Sequence, residues 1–214
     1  MKIISTKDVH QDGVKALVFG LSGSGKTKLI ETAPNPFIIS SESGLLSLSD
    51  VDLPAFEVRN EKDLDLAYNY AAESAYETIC IDSLSDISEV LLAEYKNKFS
   101  DGRQAYGLLG DTVSKYIRKF RNLKGKHVYF SAKEARTEIN NVMIAQPSMP
   151  GQTLTVNLPY FFDLVLRLEA NKKGERIIHT AATFTQVCKD RSGRLDKTEL
   201  PNLGNIFNKV TGVK

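Results

Sequence analysis

The stretch GLSGSGKT, residues 20–27, decides the fold of this 214-residue chain. It matches the pattern G-x-x-x-x-G-K-[ST] at every fixed position. An aliphatic run, residues 14–19, precedes it, and an amphipathic stretch, residues 26–32, follows it. A strand, a glycine-rich turn and a helix in this order predict a phosphate-binding loop, because successive backbone N–H groups can surround phosphate oxygens. A dinucleotide-binding loop is excluded, since the glycines are not spaced G-x-G-x-x-G.

The fixed positions of the loop have chemical roles in phosphate binding. Lys26 would neutralise the β- and γ-phosphates, and the hydroxyl of Thr27 would ligate Mg²⁺. Asp82 ends an apolar strand and would hold Mg²⁺ or its water shell beside the loop, with a helix-capping role as the alternative. The sequence therefore predicts ATP and Mg²⁺ as cofactors. The predicted binding residues are Gly20, Leu21, Ser22, Gly23, Ser24, Gly25, Lys26, Thr27, Lys28 and Asp82.

The composition is that of a globular protein. Of the 214 residues, 42% are hydrophobic and 25% are charged, which excludes a collagen-like repeat, a disulfide scaffold and a wholly disordered chain. No apolar run reaches the roughly 18 residues of a membrane-spanning helix, and the first residues contain no apolar signal segment. Cys80 and Cys188 lie in apolar stretches and predict two buried thiols rather than a disulfide. We therefore expect a cytoplasmic protein without a membrane partner.

Apolar runs alternate with amphipathic stretches along the chain, which is typical of an α/β protein. We expect a mainly parallel central sheet flanked by helices, with antiparallel strands near the C-terminus, in a single domain over residues 1–214. The predicted strands are residues 14–19, 36–40, 77–82, 127–131, 162–168, 176–182 and 185–188. The predicted helices are residues 26–32, 61–74, 84–99 and 111–123.

Residues 132–161 form a long stretch without a clear pattern after the strand at 127–131. It contains three prolines, Gly151 and several asparagines. A connection of this length in a compact protein is usually functional or disordered. We therefore expect either a functional or a disordered loop here.

The charges are distributed unevenly along the chain. Between Glu42 and Glu94 there are 13 acidic and two basic residues, whereas between Lys96 and Lys214 there are 21 basic and 10 acidic residues. This asymmetry favours an anionic partner for the C-terminal half. The alternative is that the two halves neutralise each other within the fold.

Several segments occur in the order found in RecA-like ATPases. They are GLSGSGKT, FIISSESGLLSL, TICIDS, HVYFSAK, YFFDLVLRLE and VCKDR. The chain resembles small phage proteins that carry only the RecA core, including single-strand annealing recombinases of the Sak-four type. The resemblance implies a RecA-like P-loop NTPase core and a homo-oligomer, either a ring or a filament, with ATP at the subunit interfaces. It also implies the cytoplasm of a bacterial host as the location.

The resemblance implies three catalytic residues besides Lys26. Glu42, just after the second strand, would polarise the attacking water, as a carboxylate near the γ-phosphate can. Lys189 and Arg191 would reach the γ-phosphate in a neighbouring subunit, where a cation stabilises the charge of the transition state. The alternatives are a solvated loop acid at Glu42 and a solvated basic turn at Lys189 and Arg191.

The resemblance also implies two DNA-binding loops. Residues 101–110, with Arg103 and Tyr106, take the place of the first loop, and Tyr106 would stack on a base. Residues 133–160 take the place of the second loop, and Lys133 and Arg136 at its start would contact phosphates. The alternatives are ordinary packing for Tyr106 and an exposed helix face for the basic residues.

The sequence departs from the family at the end of the strand at 127–131. RecA-like proteins usually have Gln or Asn there, between the γ-phosphate and the DNA loop, whereas this chain has Ser131-Ala132-Lys133. We interpret the chain as an ATPase that hydrolyses ATP and binds single-stranded DNA for annealing or strand exchange in phage recombination or replication. A single-stranded-DNA-binding protein would be a further partner. The alternatives are an ATP-switched loader acting on a protein partner and a P-loop small-molecule kinase.

Overall fold

The computed structural model describes residues 13–41 and 45–212. Its strands are β1 (Lys15–Gly20), β2 (Pro36–Ser40), β3 (Ala55–Glu57), β4 (Thr78–Asp82), β5 (His127–Ile139), β6 (Val142–Ser148), β7 (Leu164–Ala170), β8 (Arg176–His179), β9 (Lys189–Asp190) and β10 (Thr198–Glu199). Its helices are α1 (Lys26–Leu29), α2 (Glu61–Glu73), α3 (Leu84–Lys96), α4 (Gly102–Arg121), α5 (Gln152–Asn157) and α6 (Leu203–Thr211). Short 3-10 helices are formed by Ile30–Thr32, Leu45–Leu48 and Leu158–Phe161.

These strands form one sheet in the order β10-β8-β7-β1-β5-β4-β2-β3. The strands from β7 to β3 in this order pair in parallel, whereas β6, β8, β9 and β10 pair antiparallel to their neighbours. The expected α/β fold with a mainly parallel sheet and antiparallel C-terminal strands is confirmed. Because parallel strands end at the same edge, the ends of β1 and β4 lie together with Ser131 of β5.

Two apolar clusters hold the layers together, one on each face of the sheet. Helices α2, α3 and α4 bury side chains such as Leu64, Leu91 and Ile117 against one face. The 3-10 helix after α1 and helix α6 bury Ile30 and Phe207 against the other face. Each fully buried aliphatic or aromatic side chain of this kind contributes about 1.5–3 kcal/mol relative to exposure. The central strands are apolar on both faces because both faces are covered.

The polar residues that precede the helices explain where the helices begin. Asn60, Ser83, Asp101 and Asn202 each accept a hydrogen bond from a backbone N–H in the first turn of α2, α3, α4 and α6. Such caps satisfy N–H groups that the helix leaves unpaired, and each is worth about 1 kcal/mol.

Three expectations about local structure are wrong. Residues 101–110 do not form a loop, because Asp101 caps α4 and the helix runs from Gly102 to Arg121. Residues 132–161 are not an irregular connection: β5 continues to Ile139 and pairs with β6 as a hairpin, followed by α5. Residues 185–188 form only isolated bridges, at Gln186, and the strand beside β7 is β9 instead. In each case a pairing or packing partner distant in sequence supplies the order.

Cys80 and Cys188 are both buried and free, as predicted. Burial raises the pKa of both thiols, to about 12 for Cys188. They are therefore protonated, unreactive core residues at neutral pH. Among the helices that the structure describes, none is long and apolar enough to cross a membrane.

Part of the charge asymmetry is neutralised within the fold. Lys119 of α4 pairs with Asp65 of α2 at 2.9 Å. Lys133 pairs with Asp86 at 2.6 Å and with Glu89 at 2.8 Å, both on α3. These pairs join the basic and acidic halves of the sequence, so the alternative of mutual neutralisation holds for these basic residues.

The half-buried His127 predicts a pH-dependent stability. Its Nδ1 accepts a hydrogen bond from the backbone N–H of Val14 at 3.1 Å, and its ring stacks on Phe207 at 4.4 Å. Burial, aided by the charge of Lys15, lowers the pKa of His127 from 6.5 to about 4. Between these two values the unfolded chain binds a proton that the folded chain does not, so stability falls as the pH falls through this window.

We therefore expect the free energy of unfolding to decrease from pH 6.5 to pH 4 by more in the wild type than in His127→Asn. The Asn amide oxygen can still accept the bond from Val14 but does not titrate. Chemical denaturation at several pH values measures the difference. Parallel pH profiles for the two proteins would contradict the assignment.

Candidate functional site

The phosphate loop lies between the end of β1 and the start of α1. Gly23 and Gly25 have φ angles of +77° and +100°, which L side chains rarely adopt. The ammonium group of Lys26 donates hydrogen bonds to the carbonyl oxygens of Gly20 at 2.9 Å and Leu21 at 3.1 Å. The Lys26 side chain therefore folds back over the loop, where it would meet the oxygens of a bound phosphate chain.

Asp82 joins three elements at the carboxyl edge of the sheet. Its Oδ2 accepts a hydrogen bond from the hydroxyl of Thr27 at 2.7 Å, and its Oδ1 accepts one from the hydroxyl of Ser131. The residue is 6% exposed. The cap of α3 is Ser83, which accepts the bond from the backbone N–H of Asp86. The alternative role of Asp82 as a helix cap is therefore wrong, and its carboxylate faces the phosphate loop.

The Thr27 hydroxyl and the Asp82 carboxylate fit a magnesium ion. Mg²⁺ prefers oxygen ligands, and in nucleotide sites it takes few protein ligands because phosphates and waters supply the others. The two oxygens lie 2.7 Å apart, near the roughly 3 Å that separates adjacent ligands in an octahedron with bonds of about 2.1 Å. A bound ion would neutralise charge on the β- and γ-phosphates.

A pocket of about 770 Å³ opens over the loop. This volume lies within the range of small-molecule sites in proteins. Besides the loop itself, the pocket is lined by Ser47, Asp82, Asp86, Lys133, Glu134 and Arg176. The lining thus contains both cations and carboxylates, which suits a ligand that combines phosphates with a metal ion.

Two of the pocket carboxylates already have partners. Asp86 accepts a hydrogen bond from Ser83 and pairs with Lys133 at 2.6 Å. The side chain of Glu134 is buried, and its carboxylate accepts hydrogen bonds from Nε and Nη2 of Arg167, at 2.9 and 3.2 Å. Both carboxylates are thus already engaged by side chains of the protein. Neither residue therefore replaces Glu42 as the predicted water-activating group.

A comparison with protein families matches residues 12–192 to a family described as an AAA domain. The chain belongs to the AAA domain family. The match covers most of the chain and includes the phosphate loop, Asp82 and Ser131. No curated protein matches the chain in sequence. Family membership makes this AAA domain a P-loop ATPase that binds nucleotide, and the family usually uses Mg²⁺.

The remaining loop residues of the AAA domain have distinct surroundings. Leu21 and Ser22 are exposed at the pocket. Ser24 is buried beneath the loop, with its hydroxyl close to Gly20. Lys28 pairs with Glu31 at 2.7 Å and with Asp50 at 2.9 Å, so its ammonium group is already engaged. The roles of these residues toward ATP stay predictions.

Lys189 and Arg191, the predicted finger residues that would reach a neighbouring subunit's γ-phosphate, lie at the edge of the sheet where the parallel strands begin. Lys189 is in register with Val165 near the amino end of β7, whereas the phosphate loop follows the carboxyl end of β1. The ammonium group of Lys189 donates to the carbonyl of Pro159 at 2.5 Å, and burial lowers its pKa to about 8. Arg191 donates to the carbonyl of Tyr160 at 3.2 Å. Neither residue reaches the pocket of its own chain. Glu42 lies outside the described residues.

The predicted DNA-contacting residues are divided between two places. Arg103 and Tyr106 lie on the first turns of α4, with the Arg103 side chain 94% exposed. Arg136 lies on the exposed part of β5 and pairs with Glu134 at 3.3 Å. Lys133 lines the nucleotide pocket and pairs with carboxylates of α3. Lys133 therefore lies where the β5–β6 hairpin meets the nucleotide pocket.

Sequence reasoning missed three residues of the site, Glu134, Arg167 and Arg176, and noted Ser131 without giving it a role. Ser131 takes the position where RecA-like proteins usually have an amide, and its hydroxyl donates a hydrogen bond to Asp82. Glu134 and Arg167 form a buried pair beside the pocket. Arg176 lies against the loop at Gly25. Only Ser131 had a signal in the sequence, its place at a strand end; the others depend on pairing between distant strands.

Replacing Lys26 with Ala should weaken ATP binding by roughly 100-fold or more. The substitution removes charge-assisted hydrogen bonds to phosphate, each worth about 1.5–3 kcal/mol. The fold should persist, because Lys26 lines the pocket, is not a buried core residue, and its ammonium group donates to carbonyl oxygens of the loop. Calorimetric titration with ATP and Mg²⁺ measures the affinity. Lys124→Ala, an exposed lysine before β5 at the opposite edge, is the control. Near-normal affinity of Lys26→Ala would refute the phosphate-loop assignment.

Proposed function

We propose that this AAA domain uses ATP hydrolysis while bound to single-stranded DNA, and that it promotes annealing or strand exchange in phage recombination or replication. ATP would lie between subunits of a homo-oligomer. A single-stranded-DNA-binding protein would be a further partner. The nucleotide half of this proposal follows from the family and the phosphate loop. The DNA half is supported chiefly by a groove on the basic half of the chain.

This groove, of about 1060 Å³, lies between α4 and residues 150–161. It is lined by Tyr106, Arg118, Arg121, Tyr160 and Phe161. Gly107 and Gly110 also line the groove and have no side chains to fill it. The guanidinium of Arg118 lies 5.3 Å from the ring centre of Phe161, and Tyr160 is 73% exposed. Aromatic rings with interleaved cations are the chemistry that binds single-stranded nucleic acid, since bases stack and phosphates pair.

A short chain of contacts links the groove to the nucleotide site. The hydroxyl of Ser85, at the start of α3, donates to the carbonyl of Ser148 at 2.7 Å. The same hydroxyl accepts a bond from the backbone N–H of Lys133 at 3.0 Å. Ser85 follows Asp82 closely, and Ser148 precedes the groove residues Pro150 and Gly151. A conformational shift at the nucleotide would therefore reach the groove through these two hydrogen bonds. The Gln or Asn that RecA-like proteins usually have near position 131 would not be needed.

Hydrolysis in this proposal needs a second subunit. The described pocket holds Lys26 and the pair Thr27 and Asp82, but not Lys189 or Arg191 of the same chain. These two residues lie at the opposite edge of the sheet, from which they would reach the γ-phosphate of a neighbour. An arginine or lysine supplied in this way stabilises transition-state charge.

Phosphate release with and without single-stranded DNA tests the proposal. We expect DNA to raise the rate of release. A rate that is independent of polynucleotide would contradict the DNA-coupled function and favour the ATP-switched loader. Transfer of the phosphoryl group to a nucleoside, in place of free phosphate, would instead indicate the kinase. Both results would leave the phosphate-loop assignment intact.

Tyr106 and Arg136 test the DNA path separately. Tyr106→Ala should weaken single-stranded DNA binding by about 5-fold to 100-fold, since stacking on one base is worth roughly 1–3 kcal/mol. Arg136→Gln should make the slope of log K against log salt shallower by about 0.7, the contribution of one phosphate contact. Fluorescence anisotropy over a range of salt measures both. Phe184→Ala, an exposed aromatic outside the groove, is the control. Equal losses in Tyr106→Ala and Phe184→Ala would exclude the groove.

Mixing two inactive variants tests catalysis between subunits. A Lys189→Ala, Arg191→Ala double variant should bind ATP but not hydrolyse it, and Glu42→Gln should do the same for lack of an activated water. In a one-to-one mixture, about a quarter of randomly formed interfaces combine intact fingers with an intact Glu42, so part of the activity should return. Phosphate release with DNA present measures it. If the subunits co-assemble and the mixture stays inactive, the trans arrangement is wrong.

A further inference from the structure

Arg176 lies against the phosphate loop from the side opposite the magnesium residues. It is the first residue of β8 and pairs with Ala170 at the carboxyl end of β7. A Cβ atom placed on Gly25 would lie 2.7 Å from Nε and 2.9 Å from Cζ of Arg176. The guanidinium is thus in contact with the loop backbone and lines the nucleotide pocket.

The strand order decides which part of a nucleotide faces Arg176. The sequence of strands is β8-β7-β1-β5-β4, so Arg176 lies two strands from the loop strand on one side and Asp82 lies two strands from it on the other. Two strand spacings correspond to about 10 Å. A nucleotide whose terminal phosphate lies at Thr27 and Asp82 therefore extends its nucleoside end toward Arg176.

The side chain of Arg176 is available for a ligand. It is exposed, and among the described residues no carboxylate pairs with it. The neighbouring Arg167 differs, because it is buried and held by Glu134 and Glu169. A guanidinium that has no carboxylate partner within residues 13–41 and 45–212, and that lies beside a phosphate loop, suits an anionic, planar ligand, since it can bond to phosphate and stack on a base.

We propose that Arg176 is a nucleotide-binding residue that contacts, within its own chain, the α-phosphate and nucleoside portion shared by ATP and ADP. It acts on binding, unlike the predicted fingers Lys189 and Arg191, which act on hydrolysis. The assignment rests on the nucleotide binding of the proposed function and is independent of its DNA part.

Calorimetric titration without DNA tests the assignment, using unlabelled ADP and a non-hydrolysable ATP analogue, each with Mg²⁺. Arg176→Gln should weaken both ligands equally, by roughly tenfold or more. Arg176→Lys should lose part of the affinity, because it keeps a charge but not the planar fork. Lys173→Gln, an exposed lysine in the same β7–β8 turn, should leave both affinities within about twofold. Thermal unfolding without nucleotide should be unchanged in all three variants, since these side chains are exposed.

Three results would overturn the proposal. Unchanged ADP affinity in Arg176→Gln would do so, even if the ATP analogue alone weakens, because the contact would then be to the γ-phosphate. An equal loss in Lys173→Gln would show only a general effect of charge. Absence of nucleotide binding by the wild type would remove the proposed function together with this assignment, whereas the first two results leave that function standing.

Discussion

Asp82 accepts hydrogen bonds from Thr27 and Ser131, and through them one buried carboxylate ties the phosphate loop to two strands of the sheet. The arrangement depends on the parallel register of β4 beside β5 and β5 beside β1, which brings the three strand ends to one edge. A one-residue slip of β4 would turn Asp82 into the core and leave both hydroxyls unpaired. The apolar clusters on both faces of the sheet hold this register, so packing energy is what aligns the oxygens of Asp82, Thr27 and Ser131.

The same edge of the sheet joins the nucleotide to the proposed DNA surface. Strand β5 carries Ser131 and Lys133 at the nucleotide pocket and continues into the hairpin that bears Arg136. Ser85 bonds to this strand and to the end of β6. A rigid strand and two hydrogen bonds therefore connect sites that a flexible loop would leave independent. Cations with different proposed roles are also kept apart: Lys26 and Arg176 line the pocket, whereas Lys189 and Arg191 do not.

Features that depend on neighbouring residues were predicted from the sequence, whereas features that depend on contacts between distant residues were missed. The phosphate loop, the parallel strands and the buried cysteines were predicted, because each depends on residues adjacent in sequence or on simple apolar runs. The resemblance to RecA-like proteins placed a loop at residues 101–110, yet Asp101 caps a helix whose apolar side packs on the core. The hairpin of β5 and β6 was missed because its alternation is weak and its order comes from pairing.

The sequence by itself determined the class of fold and the identity of the phosphate loop, since a fixed spacing of glycines, lysine and threonine is a local property of the chain. Tertiary structure alone decided the partners of that loop. Ser131 reaches Asp82 because β5 is inserted between β1 and β4, Glu134 meets Arg167 because β5 and β7 flank β1, and Arg176 reaches Gly25 from β8. These contacts join residues that are up to about 150 positions apart in the chain. Only the strand order brings them together, because side chains at one sheet edge meet according to position in the sheet and not according to position in the sequence.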